Sequence, residues 1–376
     1  MTTQLLIAID PGFDSMKVIA NGQAFKFPFS AVETDERKMS DYGNRNGFIL
    51  YKDESGATWR VGQYARSILH ETKQQNTTDP LSEFYTEERF ISEEFKVGIR
   101  SAIAKSIDYA NLYDLQEALD IRLIVALPHS VRNKYASTVT GLLSGKHEYL
   151  MRFNSERERT FRFTIQEQNV FTVSQTIAAI LGETSDDEGC INKEKFYFLS
   201  NGPTLIIDGG YYTMGLVPVS RGGSVDDSKA ESNTIYSMKN VNMAVAEALS
   251  TYRPDIRHYT VEYLLAQGEN EIRCIKDGRV EIIDMNKVRE QKMRETCARF
   301  IDYLNQKYNS LLDFNYILVT GGTGACYYPQ LLNYYKDLGL MNESHMLLTR
   351  PQLKNSTLSI EFAIAAGAYK GLRGNL

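Results

Sequence analysis

Three stretches of this chain run from a branched, apolar segment into residues that suit a phosphate or a nucleoside. They are IAIDPGFDSMKV (7–18), TLIIDGGYY (204–212) and YILVTGGTGA (316–325). A glycine turn exposes backbone N–H groups with no side chain in the way. After Asp10 the donors are Gly12, Phe13, Asp14 and Ser15, with a hydroxyl on Ser15 and an ammonium on Lys17; Pro11 has no N–H to give. After Asp208 they are Gly209, Gly210 and Tyr211, with the hydroxyl of Thr213. In the third stretch Gly321, Gly322, Thr323 and Gly324 allow close backbone approach to something flat, such as a nucleoside.

A carboxylate beside phosphates repels them unless a cation intervenes. Asp10 and Asp208 flanking one Mg²⁺, directly or through waters, match that ion's preference for hard oxygen ligands and retained waters. Taken singly, each Asp-Gly turn reads as structural, Lys17 as a solvent-facing strand lysine, and Ser15 and Thr213 as hydroxyls satisfying their own turns. Three such turns, each after a branched apolar strand, point together to a nucleotide site. The chain has no G-x-x-x-x-G-K-[ST] and no G-x-G-x-x-G, which excludes the P-loop and Rossmann routes to the same ligand.

The elements that must position these residues are legible in outline. Residues 4–10 and 16–20 read as two strands joined by a Pro-Gly turn, with a second tight turn at Asn21-Gly22. About Thr34 to Asn46 reads as a polar loop, followed by short strands at Phe48–Tyr51 and Thr58–Val61. Ile91, Phe95, Ile99, Ile103 and Ile107 make one apolar stripe and predict a helix over 91–110. IRLIVALP (121–128) reads as a buried strand stopped by Pro128. FTVSQTIAAILG (171–182) reads as a short helix closed by Gly182, and GETSDDEG (182–189) as an exposed turn. Residues 220–233 form a polar loop; helical patterns follow at about 238–251, 260–268, 286–311 and 360–372. The strand–Asp–Gly pattern near residue 10 and again near 208 predicts two halves of similar design facing a shared cleft. Ala365, Ala366, Gly367 and Ala368 in the last helix permit close packing, and Tyr327-Tyr328 with Tyr334-Tyr335 read as core and groove packing.

Composition narrows the classes. With 376 residues, 43% of them apolar, the chain suits roughly two domains or one large split fold. Its 42 basic and 47 acidic residues give no bulk electrostatic case for nucleic acid or membrane. No uncharged apolar run reaches about 18 residues, so no membrane span is expected. No basic-then-apolar leader precedes the first strand. Cys190, Cys274, Cys297 and Cys326 form no C-x-x-C pair, and the five histidines show no metal-ligand spacing; reduced thiols in a cytoplasmic setting are expected.

The order IAIDPG, TLIIDGG, YILVTGGTGA, with a small-residue helix at the end, resembles the actin, DnaK-type chaperone and sugar-kinase ATPases. Within that group FKFPFSAVE (25–33), WRVGQYA (59–65) and LIVALPHSVRN (123–133) resemble the bacterial ParM-type actin-like proteins of plasmid segregation, and the likeness spans almost the whole chain. The resemblance implies an α/β, actin-like (ribonuclease H-like) two-domain ATPase fold with a nucleotide cleft between the domains. Domain I would be 1–185, with a small subdomain at about 30–90, completed by 358–376. Domain II would be 186–357, with a small subdomain at about 222–310.

Carried onto this sequence, Asp10 and the turn Gly12, Phe13, Asp14 and Ser15 match the first phosphate loop, with Lys17 reaching the phosphates. Asp208, Gly209, Gly210, Tyr211, Tyr212 and Thr213 match the second. Gly321, Gly322, Thr323 and Gly324 match the adenosine loop. Gln175 falls where the family places a glutamate or glutamine that orients the attacking water; a glutamine is a poor proton acceptor, which fits slow hydrolysis. Gln175, Asp208 and Asp10 are thus the implied catalytic group, and Asp10 and Asp208 the implied Mg²⁺ pair. Tyr211 stands where a glycine is common and Gly215 where an acid is common. The stretch from Gln175 to Asp208 is long for the family, which leaves open an insertion at 183–203 or a catalytic residue one turn away.

The implied activity is hydrolysis of ATP, with GTP as an alternative, coupled to self-assembly into filaments that segregate plasmid DNA through a DNA-bound adaptor. Direct nucleic-acid or membrane contact is not expected. A small-molecule kinase of the same superfamily, for which His129 is the one base to consider, and a non-hydrolysing nucleotide-sensing module are the alternatives.

Overall fold

β1 (Gln4–Pro11) and β2 (Ser15–Ala20) form an antiparallel hairpin in which Asp10 stands opposite Lys17. Asn21 and Gly22, both at positive φ, turn β2 into β3 (Gln23–Pro28), the two-residue turn that Asn-Gly favours. The computed structural model describes residues 3–34, 48–66, 87–154, 158–276, 278–354 and 356–374. Past Thr34, the stretch expected to be a polar loop lies outside the described residues. The chain divides into two units, 1–195 with 350–376, and 196–349. Residues 186–195 and 350–357, placed in the second domain from sequence, group with the first unit. Their link is direct, since the Lys354 N–H donates to Asp187 Oδ2 at 2.9 Å.

The first unit carries two sheets. After β4 (Ala31–Glu33), β5 (Phe48–Lys52) and β6 (Thr58–Gly62), helix α1 (Glu93–Tyr109) begins; Ser92 Oγ accepts from the Phe95 N–H. That cap leaves Ile91 in the preceding 3-10 turn, 39% exposed, so the expected apolar stripe starts at Phe95 rather than Ile91. β7 (Asp120–Leu127) pairs parallel to β1, and α2 (His129–Leu143) follows Pro128 directly. β8 (Gly145–Phe153), β9 (Arg159–Ile165) and β10 (Val170–Ser174) precede α3 (Gln175–Thr184). One sheet has the order β10-β7-β1-β2-β3 and the other β4-β6-β5-β8-β9.

Residues 171–182, expected to be one short helix closed by Gly182, are instead a strand end followed by a helix. Phe171–Ser174 belong to strand β10, parallel to β7, and Ser174 Oγ accepts from the Ile177 N–H, so the helix starts at Gln175 and runs past Gly182. A short apolar run beside a buried strand cannot be told from helix by period alone; β-branched Thr172 and Val173 follow the neighbouring strand.

Strand alternation decides what faces what. Leu5, Ile7 and Ile9 pack with Phe95, Ile99 and Ile103 of α1. Ala8, Ile19, Ile124 and Ala126 pack instead with Ala178 and Ala179 of α3 and with the C-terminal helix (Ala363–Arg373). Successive side chains point to opposite faces, so Asp10 and Lys17 share the α3 side of the sheet with Ala8 and Ile19.

The second sheet contains His147, buried on β8, its ring stacked on Phe163 and its Nε2 3.0 Å from the Leu143 carbonyl oxygen. Burial, then the nearby Arg100 charge, push its pKa down to about 4. The unfolded chain therefore takes up this proton at higher pH than the folded one, and stability falls as pH drops from about 6.5 towards 4. The loss should approach 2–3 kcal/mol. Thermal melts of His147→Phe against the parent between pH 7 and 4 check it: the variant's midpoint should fall less steeply.

The second unit repeats the plan of the first sheet. α4 (Tyr197–Asn201) leads into β11 (Thr204–Gly209), which forms a hairpin with β12 (Met214–Val219). The stretch expected as loop at 220–233 ends in β13 (Glu231–Asn233), paired with β12. Then come α5 (Met238–Ser250), α6 (His258–Ala266), the hairpin β14 (Glu271–Lys276) and β15 (Arg279–Asp284), and α7 (Met285–Lys307). β16 (Tyr316–Thr320) lies parallel to β11, followed by α8 (Gly322–Asp337) and β17 (Met346–Leu348). The order β13-β12-β11-β16-β17 matches β3-β2-β1-β7-β10 strand for strand, an antiparallel meander followed by two parallel strands. The repeated strand–Asp–Gly pattern in the sequence is therefore a repeated sheet. Leu205, Ile207, Ile317 and Val319 pack with Phe300 and Leu304 of α7 and Tyr327 and Tyr335 of α8. No helix among the described residues is long and apolar enough to cross a membrane.

Candidate functional site

In the first unit the hairpin register places Lys17 beside Asp10. Lys17 Nζ is 3.5 Å from Asp10 Oδ2 and only 14% of its side chain is exposed. It is therefore not a solvent-facing strand lysine. A Cβ on Gly12 would lie 2.4 Å from that Nζ, so glycine at 12 leaves the space the ammonium fills. Asp10 is 4% exposed, and its other oxygen, Oδ1, accepts from Gln175 Nε2 at 2.9 Å. Gln175 is the first residue of α3, the helix on Asp10's side of the sheet. With Nε2 committed to Asp10, Oε1 is the face of the amide that can accept from a water. An ammonium and a carboxylate from one hairpin thus meet an amide from a helix far along the chain.

The turn between β1 and β2 is held from behind by a residue the sequence reading missed. Arg89, 5% exposed, donates from Nη2 to the carbonyl oxygens of Pro11 at 2.7 Å and Gly12 at 3.1 Å. Its guanidinium lies over the rings of Phe13, Phe29 and Phe90 at 4.0, 4.6 and 4.8 Å. In a trans peptide the carbonyl and the next N–H point in opposite directions. Arg89 therefore turns the N–H groups of Gly12 and Phe13 away from itself, the presentation an anion-binding turn needs. Arg66 Nη2 does the same to the Asp14 carbonyl at 2.5 Å and pairs with Asp14 Oδ1 at 2.9 Å. Burial pushes the Asp14 carboxyl up, but Arg66, Lys17 and Lys26 outweigh it and hold the pKa below the usual range. Ser15 is buried at the start of β2.

Arg89→Met keeps the apolar stem on the rings and removes the donors. Where a nucleotide's phosphates lie on this turn, affinity should fall about tenfold, the worth of one charge-assisted hydrogen bond. Titration with a fluorescent ATP analogue checks this; an unchanged affinity would mean the turn is held by other contacts.

In the second unit the two glycine turns are pressed backbone to backbone. A Cβ on Gly209 would sit 2.1 Å from the Gly324 nitrogen. Gly321, at φ 78°, would bring a Cβ to 2.4 Å from the Gly209 carbonyl and 2.9 Å from Asp208 Oδ1. Thr323 Oγ1 donates to the Gly210 carbonyl at 2.7 Å. What the sequence presents as one glycine turn is a single turn residue, Gly321, followed by the first turn of α8; the Ala325 N–H donates to the Gly321 carbonyl. The N–H groups of Gly322, Thr323 and Gly324 therefore precede the first intrahelical bond.

Asp208 lies opposite Gly215, so this unit has no counterpart of Lys17 in register. The Gly210 N–H closes the hairpin on the Thr213 carbonyl at 2.8 Å, which removes it from the set of expected ligand donors. The Tyr211 hydroxyl donates to Glu262 Oε2 at 2.5 Å, while its carbonyl accepts from the Lys239 N–H at the start of α5. The Lys239 ammonium lies 4.9 Å over the ring of Tyr212.

Among the described residues no three metal-ligating side chains cluster. Asp10 already meets Lys17 and Gln175, and Asp208 stands beside Gly321. Taken in its own unit, neither carboxylate fits a dedicated all-protein cage; each would suit orienting the waters of a Mg²⁺ held mainly by phosphate oxygens. His129, the base considered for a kinase, begins α2 with its Nε2 3.5 Å from Asn133 Nδ2.

No family model and no curated protein matches the chain. Solved structures do. A non-polymerisable quadruple mutant of pCBH ParM is 19% identical, with a TM-score of 0.68, over 98% of this chain and 98% of that one. A 15-stranded ParM filament from Clostridium botulinum is 18% identical, with a TM-score of 0.68, over the whole of both chains. An archaeal actin homologue in complex with ADP is 14% identical, with a TM-score of 0.63, over 97% of this chain and 98% of that one.

Proposed function

We propose that this chain, whose fold is actin-like along its whole length, is a nucleotide-driven polymer protein: an ATPase whose subunits assemble while ATP is bound and come apart after hydrolysis. The observation that carries the reading is the Asp10–Lys17–Gln175 constellation. It combines a cation for the phosphates, a carboxylate for a hydrated metal and an amide placed for water. Gly12, Phe13, Asp14 and Ser15 are the first unit's phosphate-binding residues, and Asp208, Gly209, Tyr211, Tyr212 and Thr213 are the second unit's. The α8 N-terminus, Gly321 to Gly324, serves the nucleoside. Mg²⁺, when bound, would supply charge neutralisation for the phosphates. Lys17 binds and orients the phosphates, and Asp10 holds the Gln175 amide so that Oε1 orients a water. An amide does not take the water's proton, so turnover is slow, which leaves time for subunits to add before hydrolysis.

Head-to-tail contacts that do not close generate a filament, and self-association is the partner class this reading requires. Segregation of plasmid DNA through a DNA-bound adaptor is the biological role it fits. An acidic chain suits indirect rather than direct DNA contact.

Light scattering and phosphate release, followed together after Mg²⁺-ATP is added to the purified protein, test the reading. Scattering should rise before phosphate appears, with filaments visible by negative stain. Binding without phosphate release would favour the nucleotide sensor, and sugar-dependent ADP release the kinase.

A further inference from the structure

The chain returns to the first unit at Arg350, and its C-terminal helix lies against α3. The approach is set by missing side chains. A Cβ on Gly367 would lie 1.7 Å from the Ala178 carbonyl oxygen, and one on Gly189 2.3 Å from the Lys370 carbonyl oxygen. At the end of this contact Lys370 is buried, 3% exposed. Its Nζ donates to the carbonyl oxygens of Gly182 and Ser185, both at 2.9 Å. These lie in the last turn of α3 and just beyond it, where helix carbonyls lack intrahelical partners and the helix dipole is negative. The stretch 182–189, expected to be an exposed turn, is held in the same way at several points. Glu183 Oε1 accepts from the Arg350 N–H, Asp187 Oδ2 from the Lys354 N–H, and Glu188 pairs with Arg373.

Burying an ammonium is costly, and a methionine would fill similar space without that cost. What the ammonium adds is direction. It draws two carbonyls at one end of α3 towards a fixed point on the C-terminal helix. The other end of α3 is Gln175, whose 2.9 Å hydrogen bond to Asp10 weakens with any slide of the helix along its axis. Where α3 meets the C-terminal helix its residues are small, Ala178, Ala179 and Gly182, so close backbone contact rather than interlocking side chains sets the register there.

We infer that Lys370 is a positioning residue for Gln175, fixing the placement of α3 so that the amide meets Asp10. The inference rests on the proposed role of Gln175 as the residue that orients water.

The test is a double-mutant cycle read in single-turnover phosphate release, with nucleotide affinity measured alongside. Lys370→Met should slow release about tenfold, the scale of effect that a misplacement of under 1 Å has on an oriented group. Affinity should stay within about twofold, because Lys17 and the first turn are untouched. In a Gln175→Ala background the same substitution should slow release no further, since the residue it positions is gone. Equal slowing in both backgrounds, an unchanged rate, or a loss of affinity as large as the loss of rate would overturn the inference while leaving the role of Gln175 intact. A Gln175→Ala rate equal to that of the parent would instead remove the role of Gln175, and the inference with it. If Lys370→Met does not fold, Lys370→Gln, which keeps a donor on a shorter stem, enters the same cycle. Failure of both to fold would assign Lys370 to folding and overturn its positioning role.

Discussion

Asp10→Ala is expected to cut ATP turnover by about 100-fold or more while leaving nucleotide binding in the absence of Mg²⁺ no weaker than in the parent. Two effects with opposite signs produce this split. Asp10 is the partner of both Lys17 and Gln175. On the proposed function, without it the amide has no fixed orientation and a bound Mg²⁺ would have one carboxylate fewer for its waters, so the rate falls. A negative charge has also left the neighbourhood of the phosphates, and Lys17 is no longer shared with a carboxylate, so binding without metal is held or improved. Stability should fall by roughly 1–3 kcal/mol, because the substitution leaves a largely buried ammonium short of a partner. The variant's turnover and its affinity for ATP in EDTA, measured on folded protein, separate these terms. A rate within threefold of the parent's would end the catalytic assignment of Asp10. A lost affinity in EDTA would mean that Asp10 mainly builds the turn. Asp10→Asn, which keeps an acceptor for Gln175 without the charge, should fall between the two.

What the sequence could and could not disclose follows from the range of the interactions. Asp10 and Lys17 were readable as candidates because both flank one glycine turn; that they pair was not read, although a short turn fixes register and alternation fixes face. The likeness between the two sheets was readable because each opens on the same strand–Asp–Gly string. Arg89 was not readable. It reaches the Pro11 and Gly12 carbonyls from a 3-10 turn far along the chain, and nothing in EERFI marks its arginine as buried. Lys370 was hidden similarly, as one lysine near the end of a small-residue helix. The boundary at Ser174-Gln175 was missed because an apolar run and a helix-like composition abut there, and only pairing with β7 separates them. β8 and β9 were overlooked although Phe161, Phe163 and Ile165 alternate with polar residues; Arg159 and Arg162 in RTFRFTI dilute the apolar signal. The engaged Gly210 N–H is a matter of turn geometry, which glycine content does not specify.

Glycines in the second unit offer the sharpest contrast between fold and ligand. Gly209→Ala should destabilise the unit by about 3 kcal/mol or more, because the new methyl has only the backbone of Gly324 to displace. Neither neighbour is the flexible end of a side chain, so the strain cannot be relieved by a rotamer change. Gly322 is different. A Cβ there meets no protein atom within 4 Å, and the residue sits in the first turn of α8, where glycine is a poor helix former. The described residues thus leave room for a side chain at 322, and the proposed function gives that room to the nucleoside. Gly322→Leu should therefore keep or slightly raise the melting temperature while weakening nucleotide binding by roughly tenfold or more, as bulk enters the space assigned to the nucleoside. Melting curves and nucleotide titrations of the two variants, side by side, check the pair. Binding at parental strength by a folded Gly322→Leu chain would place the nucleoside elsewhere and leave the α8 N-terminus a purely structural joint with Gly209.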